Sequence, residues 1–126
     1  MVGSGNLVVG KSNTLNGSVN TIVGTSNSLQ GKKNVVKGKK NGVIGQSNGL
    51  LGDSNAVIGS NNDGLGNFNI MMGQQNTAEG NNHKIVGNDN FATGSNNDQI
   101  GAGNIAIGTS NSQIGNSNLA AGKNNI

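Results

Sequence analysis

The strongest constraint on this chain is a phase. Counted from Gly3 in steps of seven, every landing is glycine as far as Gly122, which accounts for eighteen of the 23 glycines. Three residues after each of these sits asparagine, from Asn6 to Asn125, with His83 the single exception. The unit is G-x-x-N-x-x-x, and no insertion or deletion disturbs it over 126 residues. Glycine- and asparagine-rich tracts are commonly disordered, but disorder places no demand on phase. Stacked repeats do, because each unit must lie on an equivalent one.

A seven-residue period also belongs to coiled coils, and that reading fails on residue type. It would put Gly and Asn, both poor helix formers, into every heptad, and it lacks leucine at the seam positions. The three residues between Asn and the next Gly are strand formers instead: TIV at 21–23, VVK at 35–37, AVI at 56–58 and IAI at 105–107. Short apolar runs bounded by Gly and Asn read as strands between turns. A glycine at fixed phase supplies backbone conformations that a Cβ would obstruct.

One strand and one turn fill a heptad, so two heptads close a flattened coil of fourteen residues. Odd and even heptads then build opposite faces, and their middle residues differ accordingly. One face runs Val8, Ile22, Val36, Leu50, Gly64, Ala78, Ala92, Ala106, Ala120, and the other Leu15, Leu29, Val43, Val57, Met71, Ile85, Gln99, Gln113. The expected fold is an all-β parallel β-solenoid, a β-roll of about nine coils forming a single repeat domain over residues 1–126. At roughly 4.8 Å per coil it is about 40 Å long.

The asparagines then stack in two columns at the turns, where their amides can bond up and down as in cross-β ladders. The predicted ladder comprises Asn6, Asn13, Asn20, Asn27, Asn34, Asn41, Asn48, Asn55, Asn62, Asn69, Asn76, Asn90, Asn97, Asn104, Asn111 and Asn118. His83 stands in the same phase and reads as a turn hydrogen-bonder replacing Asn.

Side chains alternate across a strand, so the middle residue faces away from its two neighbours. Early heptads such as Thr14-Leu15-Asn16 place the middle residue inward. Late heptads such as Asp98-Gln99-Ile100 and Ser112-Gln113-Ile114 favour the last residue inward, or else a buried glutamine pair. Ile44, Ile58, Met72, Val86, Ile100 and Ile114 are accordingly expected as either core or an outward lateral seam. Whichever set is buried, the other leaves an apolar column outside, and soluble monomers seldom expose such a stripe uncovered.

Residues able to carry chemistry are sparse. With one His and no Cys, and with Asp53, Asp63, Glu79, Asp89 and Asp98 scattered singly, no metal set, paired-carboxylate site or cofactor motif is expected, and the chain reads as a non-enzyme. No apolar run approaches the roughly 20 residues of a membrane helix, and the opening MVGSGNLVVG lacks the form of a secretory signal. Lys32, Lys33, Lys37, Lys39 and Lys40 fall in the single coil 31–44 and form a belt around one level, with Asp53 one coil above Lys39. A belt without arginine or aromatic groups argues against a nucleic-acid groove and for a solvated, solubilising band. The repeat is still in phase at both ends, so the expectation is either a piece of a longer solenoid or ends that stack on one another.

Units such as NIAIG at 104–108, NLAAG at 118–122 and NFATG at 90–94 resemble the head repeats of trimeric autotransporter adhesins. NTLNG at 13–17 and NTIVG at 20–24 resemble the repeat of ryegrass-type ice-binding proteins. Both groups are left-handed parallel β-rolls, and the resemblance implies that handedness and an extracellular or cell-surface setting. Ice binding requires flat ranks of threonine, which the outward candidates Thr14, Ser28, Gly42, Ala56, Ile70, Lys84 and Thr21, Val35, Gly49, Asp63 do not maintain. The leading expectation is a structural module that self-assembles into fibres or oligomers, or adheres to a surface, with ice binding as the alternative and itself as the first partner.

Overall fold

The computed structural model describes residues 2–126 and is a parallel β-solenoid. Seventeen strands, counted among the described residues, run from β1 (Leu7–Val9) to β17 (Leu119–Lys123). The odd-numbered strands form a nine-stranded sheet and the even-numbered ones an eight-stranded sheet, each in simple spatial order. Every pairing is parallel with a step of fourteen residues, such as Val43↔Val57 and Val57↔Met71. The expected architecture, coil length and alternation of faces are all present.

Alternation along each strand fixes what is buried. The middle residue points inward in every heptad, and its two neighbours point out or lie at the sheet margin. Leu15, Ile22, Leu29, Val36, Val43, Leu50, Val57, Met71 and Ile85 make the apolar core, joined by the alanines at 78, 92, 106 and 120. The parity does not change in the late coils: Gln99 and Gln113 are the inward residues, and Ile100 and Ile114 stand outside. This corrects the expectation that late coils turn their last residue inward. A one-residue slip would have broken the alignment of glycines and asparagines that runs the length of the stack.

Bulk is matched across the thin interior. Where the even sheet contributes Met71, Ile85, Gln99 and Gln113, the odd sheet contributes only alanine. Gly64 is the extreme case: a Cβ there would stand 2.8 Å from Leu50 Cδ2 and 2.9 Å from Met71 Cε, so its neighbours already occupy the space.

The turns carry a more specific demand than glycine alone. The residue just before each column asparagine lies in the left-handed region, with φ of 55–60° wherever it is not glycine. Ser, Asn, Asp, Gln and Lys fill most of these positions, and the short polar ones tolerate that conformation best. Val19 and Phe68 occupy it with bulky side chains that project into solvent, 58% and 60% exposed. The asparagine that follows closes the turn. Asn34 donates its N–H to Asn20 Oδ1 at 3.0 Å. Its Nδ2 donates to the same oxygen at 3.1 Å and to the Gly45 carbonyl at 2.9 Å. Its own Oδ1 accepts both bonds from Asn48 at 3.0 Å. Each buried amide is thus satisfied by the coil before and the coil after, at a net gain of about 1 kcal/mol per bond.

Candidate functional surfaces

The residues singled out by sequence fall into an interior set and an exterior set. Asn20 through Asn111 in the two columns are buried, while Asn6, Asn13 and Asn118 are half-buried near the ends. His83 is buried in one column and adapts its ring to the ladder. Its N–H donates to Asn69 Oδ1 at 3.0 Å, and the Asn97 N–H points at its Nδ1 at 3.3 Å. Nδ1 therefore accepts, and Nε2–H donates to the Glu79 carbonyl at 3.2 Å. Burial lowers the imidazole pKa, with the Glu79 and Gly94 carbonyls and the Asp98 charge opposing it. Having no second acceptor to offer, His83 leaves the Asn97 amide to bond the Thr93 carbonyl of the preceding strand and the Gly108 carbonyl, each at 3.1 Å.

The inward glutamines form a short ladder of their own. Gln99 Nε2 donates to the Phe91 carbonyl and to Gln113 Oε1, each at 3.0 Å, and Gln113 Nε2 donates to the Ile105 carbonyl at 3.0 Å. Gln99 Oε1 is buried without a partner, because the coil below offers Ile85 where an amide would be needed. A pair of glutamines fourteen residues apart in the middle phase was the sequence signal for this ladder.

Outside, the parity settles where the expected seam lies. Ile44, Ile58, Met72, Val86, Ile100 and Ile114 are stacked in register on the outer face of the even sheet and take no part in the core. All but the half-buried Val86 are exposed, from 44% at Met72 to 77% at Ile114. Ile70 and Ala56 widen this column on its strand-entry side, before Lys84 and Asp98 end the apolar stretch.

The odd sheet carries a second apolar face, which sequence reasoning did not assemble. Its outward positions include Leu7, Val9, Val23, Val35, Leu51, Leu65, Ile105, Ile107 and Leu119, all exposed. The column Val9, Val23, Lys37, Leu51, Leu65, Glu79, Thr93, Ile107 is continuous through the ladder register. At its centre, Gly49 leaves a depression of about 400 Å³ beside Leu51 and Leu65, reached by Lys37, Asp63 and Glu79.

The five lysines do not form an even belt. Lys32 and Lys33 lie on one turn edge, Lys39 and Lys40 on the other, and Lys37 stands on the odd face. The even face at that level presents Gly42 and Ile44. Asp53 does lie one coil above Lys39, but its Oδ1 accepts the Lys39 backbone N–H at 2.8 Å. It begins a short exposed ladder in which Asp53 N–H donates to Asn67 Oδ1 and Asn67 N–H to Asn81 Oδ1. The five carboxylates remain dispersed over four coils, with Asp89 and Asp98 sharing the coil 87–100.

No protein-family model matches this chain, and no curated protein is similar to it. The likeness to adhesin heads and to ryegrass-type ice-binding proteins therefore rests on the repeat motif alone, and what the structure shows is a parallel β-solenoid with a buried asparagine ladder.

Proposed function

We propose that the chain is a structural, non-catalytic module that self-associates through its flat faces, building an oligomer or fibre, or an adhesive rod. The observation that carries this reading is the outward column Ile44–Ile58–Met72–Val86–Ile100–Ile114, six coils of large apolar residues in continuous register. Six coils extend about 24 Å, and the two-sheet framework holds each residue at a fixed spacing of about 4.8 Å. A second flat sheet can therefore interdigitate along the whole column with little loss of conformational freedom. Coil-on-coil pairing at the end strands is the second contact this reading includes, since an unpaired strand edge accepts another chain. The buried asparagine ladders make the rod stiff along the direction in which such contacts repeat.

Ice binding gains less support from the outward positions. Along the strand-entry columns threonine occurs only at Thr14, Thr21 and Thr77, separated by Ser28, Gly42, Val35, Gly49 and Asp63. A periodic hydroxyl and methyl lattice is missing from those ranks.

The test is negative-stain microscopy with sedimentation of the purified chain over a concentration series. The expected result is filaments or oligomers larger than a dimer, which the double variant Ile58→Glu/Ile100→Glu reduces to dimers or monomers while the far-UV circular dichroism stays that of a β-roll. Monomeric particles at every concentration would overturn the proposal.

A further inference from the structure

We infer that the odd sheet is a self-complementary dimer face on which a second copy of this chain packs antiparallel, with the two-fold axis between β7 (Gly49–Leu51) and β9 (Asp63–Leu65). This deepens the assembly reading by naming the partner of one particular face. The even-sheet column takes no part in it, so either contact can fail while the other stands.

The order of residues in one outward column carries the pairing. From its centre the column reads Leu51, Lys37, Val23, Val9 in one direction and Leu65, Glu79, Thr93, Ile107 in the other. A two-fold axis parallel to the strands reverses the order of coils and keeps the position along each strand. It sets Leu51 against Leu65 of the second copy, Lys37 against its Glu79, and Val9 against its Ile107. The neighbouring column obeys the same operation, with Thr21 meeting Phe91 and Leu7 meeting Ile105. Gly49 meets Asp63, whose Oδ1 leans into the depression to within 2.7 Å of where a Gly49 Cβ would stand. Lys37 of each copy then lies opposite one carboxylate and diagonal to another, between the Leu51–Leu65 pair on one side and Val23 opposite Thr93 on the other.

The alternatives leave the charges without opposite partners. A parallel pair, with the axis along the solenoid, keeps the coil level but reverses position along the strand, so Lys37 faces Val35 and Glu79 faces Thr77, with the like charge diagonal to each. A slip of one coil in the antiparallel pair sets Lys37 against Leu65 or Thr93 and strands the charges. Isologous contacts of this kind are the commonest way in which identical chains associate. Eight of the nine strands take part. At ~4.8 Å per strand and ~16 Å of strand length, each copy contributes roughly 600 Å², or about 1,200 Å² in total, the lower end of what stable interfaces bury.

Charge reversal tests the pairing, read by sedimentation equilibrium. Lys37→Glu alone opposes two carboxylates across the interface, and Glu79→Lys alone opposes the Lys37 ammonium group. Each is expected to weaken dimerisation at least tenfold. An equimolar mixture of the two variants restores opposite-charge pairs between unlike copies and is expected to recover association to within about threefold of the parent chain. Both side chains are exposed and outward, and far-UV circular dichroism verifies the fold of each variant. Zero-length carbodiimide coupling supplies the register. Lys37 and Glu79 are three coils apart in one chain, ~14 Å, so an amide joining Lys37 Nζ to the Glu79 carboxyl, with loss of water, reports a contact between copies. Ile58→Glu on the opposite sheet is expected to leave this dimer unchanged. A monomeric parent chain, single variants that dimerise normally, a mixture that stays monomeric, absence of the Lys37–Glu79 crosslink, or loss of the dimer in Ile58→Glu would each overturn the inference.

Discussion

Gly42 and Gly45 stand three residues apart in one strand, and a methyl group at each meets opposite surroundings. A Cβ on Gly45 would lie 1.7 Å from the Gly59 carbonyl oxygen of the next coil, on a backbone whose φ is +142°. The glycine column exists because consecutive coils touch backbone to backbone there, with no room for a side chain. Gly45→Ala is therefore expected to lower stability by about 3 kcal/mol or more, through overpacking and strain together. Gly42 meets nothing within 4 Å and has an ordinary strand backbone. Gly42→Thr is expected to raise stability by about 0.5–1 kcal/mol, since it replaces a poor strand former at an outward site. Thermal and denaturant melts of the two variants check the pair. His83 supplies the pH dependence. Its folded pKa lies below the ordinary 6.5, chiefly through burial, so the unfolded chain binds the extra proton first. Its neutral form supports the fold above about pH 6.5, and that support is lost as pH falls below this value toward the folded pKa. Protonation would also place a proton on Nδ1 against the Asn97 N–H, 3.3 Å away. His83→Asn is expected to melt at a higher temperature than the parent, with a gap that widens from pH 7 to pH 5.

At the scale of the strand, the two inward glutamines show how far an inside-outside rule reaches. Gln99 and Gln113 bond to each other and to carbonyls across the coil, yet Gln99 Oε1 remains without a partner. A buried acceptor left unpaired costs about 1–3 kcal/mol, whereas an apolar side chain of similar shape carries no such penalty. Gln99→Met/Gln113→Met is expected to raise the denaturation midpoint. Gln113→Met alone is expected to lower it, because Gln99 Nε2 then keeps only its bond to the Phe91 carbonyl. A double variant less stable than the parent would assign the pair a packing role that methionine cannot fill. The same strands mark the boundary of what was legible in the sequence. Glycine and asparagine phase fixed the strands, the coil length, the two sheets and the ladders, because those residues answer to backbone geometry that repeats in every coil. Parity in the late coils was ambiguous, because Asp98-Gln99-Ile100 carries its apolar residue outside and its polar one inside. Polar residues can line this core because a ladder satisfies them along the stack, a benefit invisible within one heptad. The left-handed turn position was hidden for a related reason: Ser26, Lys33, Asn61 and Phe68 share a backbone conformation without sharing a residue type. The odd outward face was legible only in part, since its meaning lies in the order of Lys37, Leu51, Leu65 and Glu79 across four coils.

Over the whole molecule, fold and surface obey different periods, and one deletion separates them. The backbone repeats every seven residues, so either sheet can accept any strand: each heptad has its glycine, its left-handed residue, its asparagine and one inward side chain. The surfaces repeat only by face, every fourteen. Removal of residues 59–65 joins Ile58 to Gly66 and transfers every later strand to the opposite sheet. The glycine column is preserved, with Gly52 now beneath Gly73, and the ladder continues from Asn55 to Asn76. In the core Leu50 comes to lie against Met71, the side chain it already approaches across Gly64. The expected product is a folded β-roll with unchanged far-UV circular dichroism per residue and a melting point lower by a few degrees, as befits one lost heptad of nearest-neighbour contacts. Its outside is recombined: Lys37 and Leu51 are followed by Met72 and Val86, while Glu79 moves to the column of Ile44 and Ile58. Lys37 then has no carboxylate opposite it under the two-fold operation. Sedimentation is expected to show the odd-face dimer abolished although the fold survives, and the Lys37–Glu79 crosslink is expected to vanish. A deletion chain that dimerises with its parent affinity would show that bulk apolarity suffices for association. One that fails to fold would show that the two sheets are not interchangeable and that the matching of Met71 and Ile85 to the alanine column is fixed to its side.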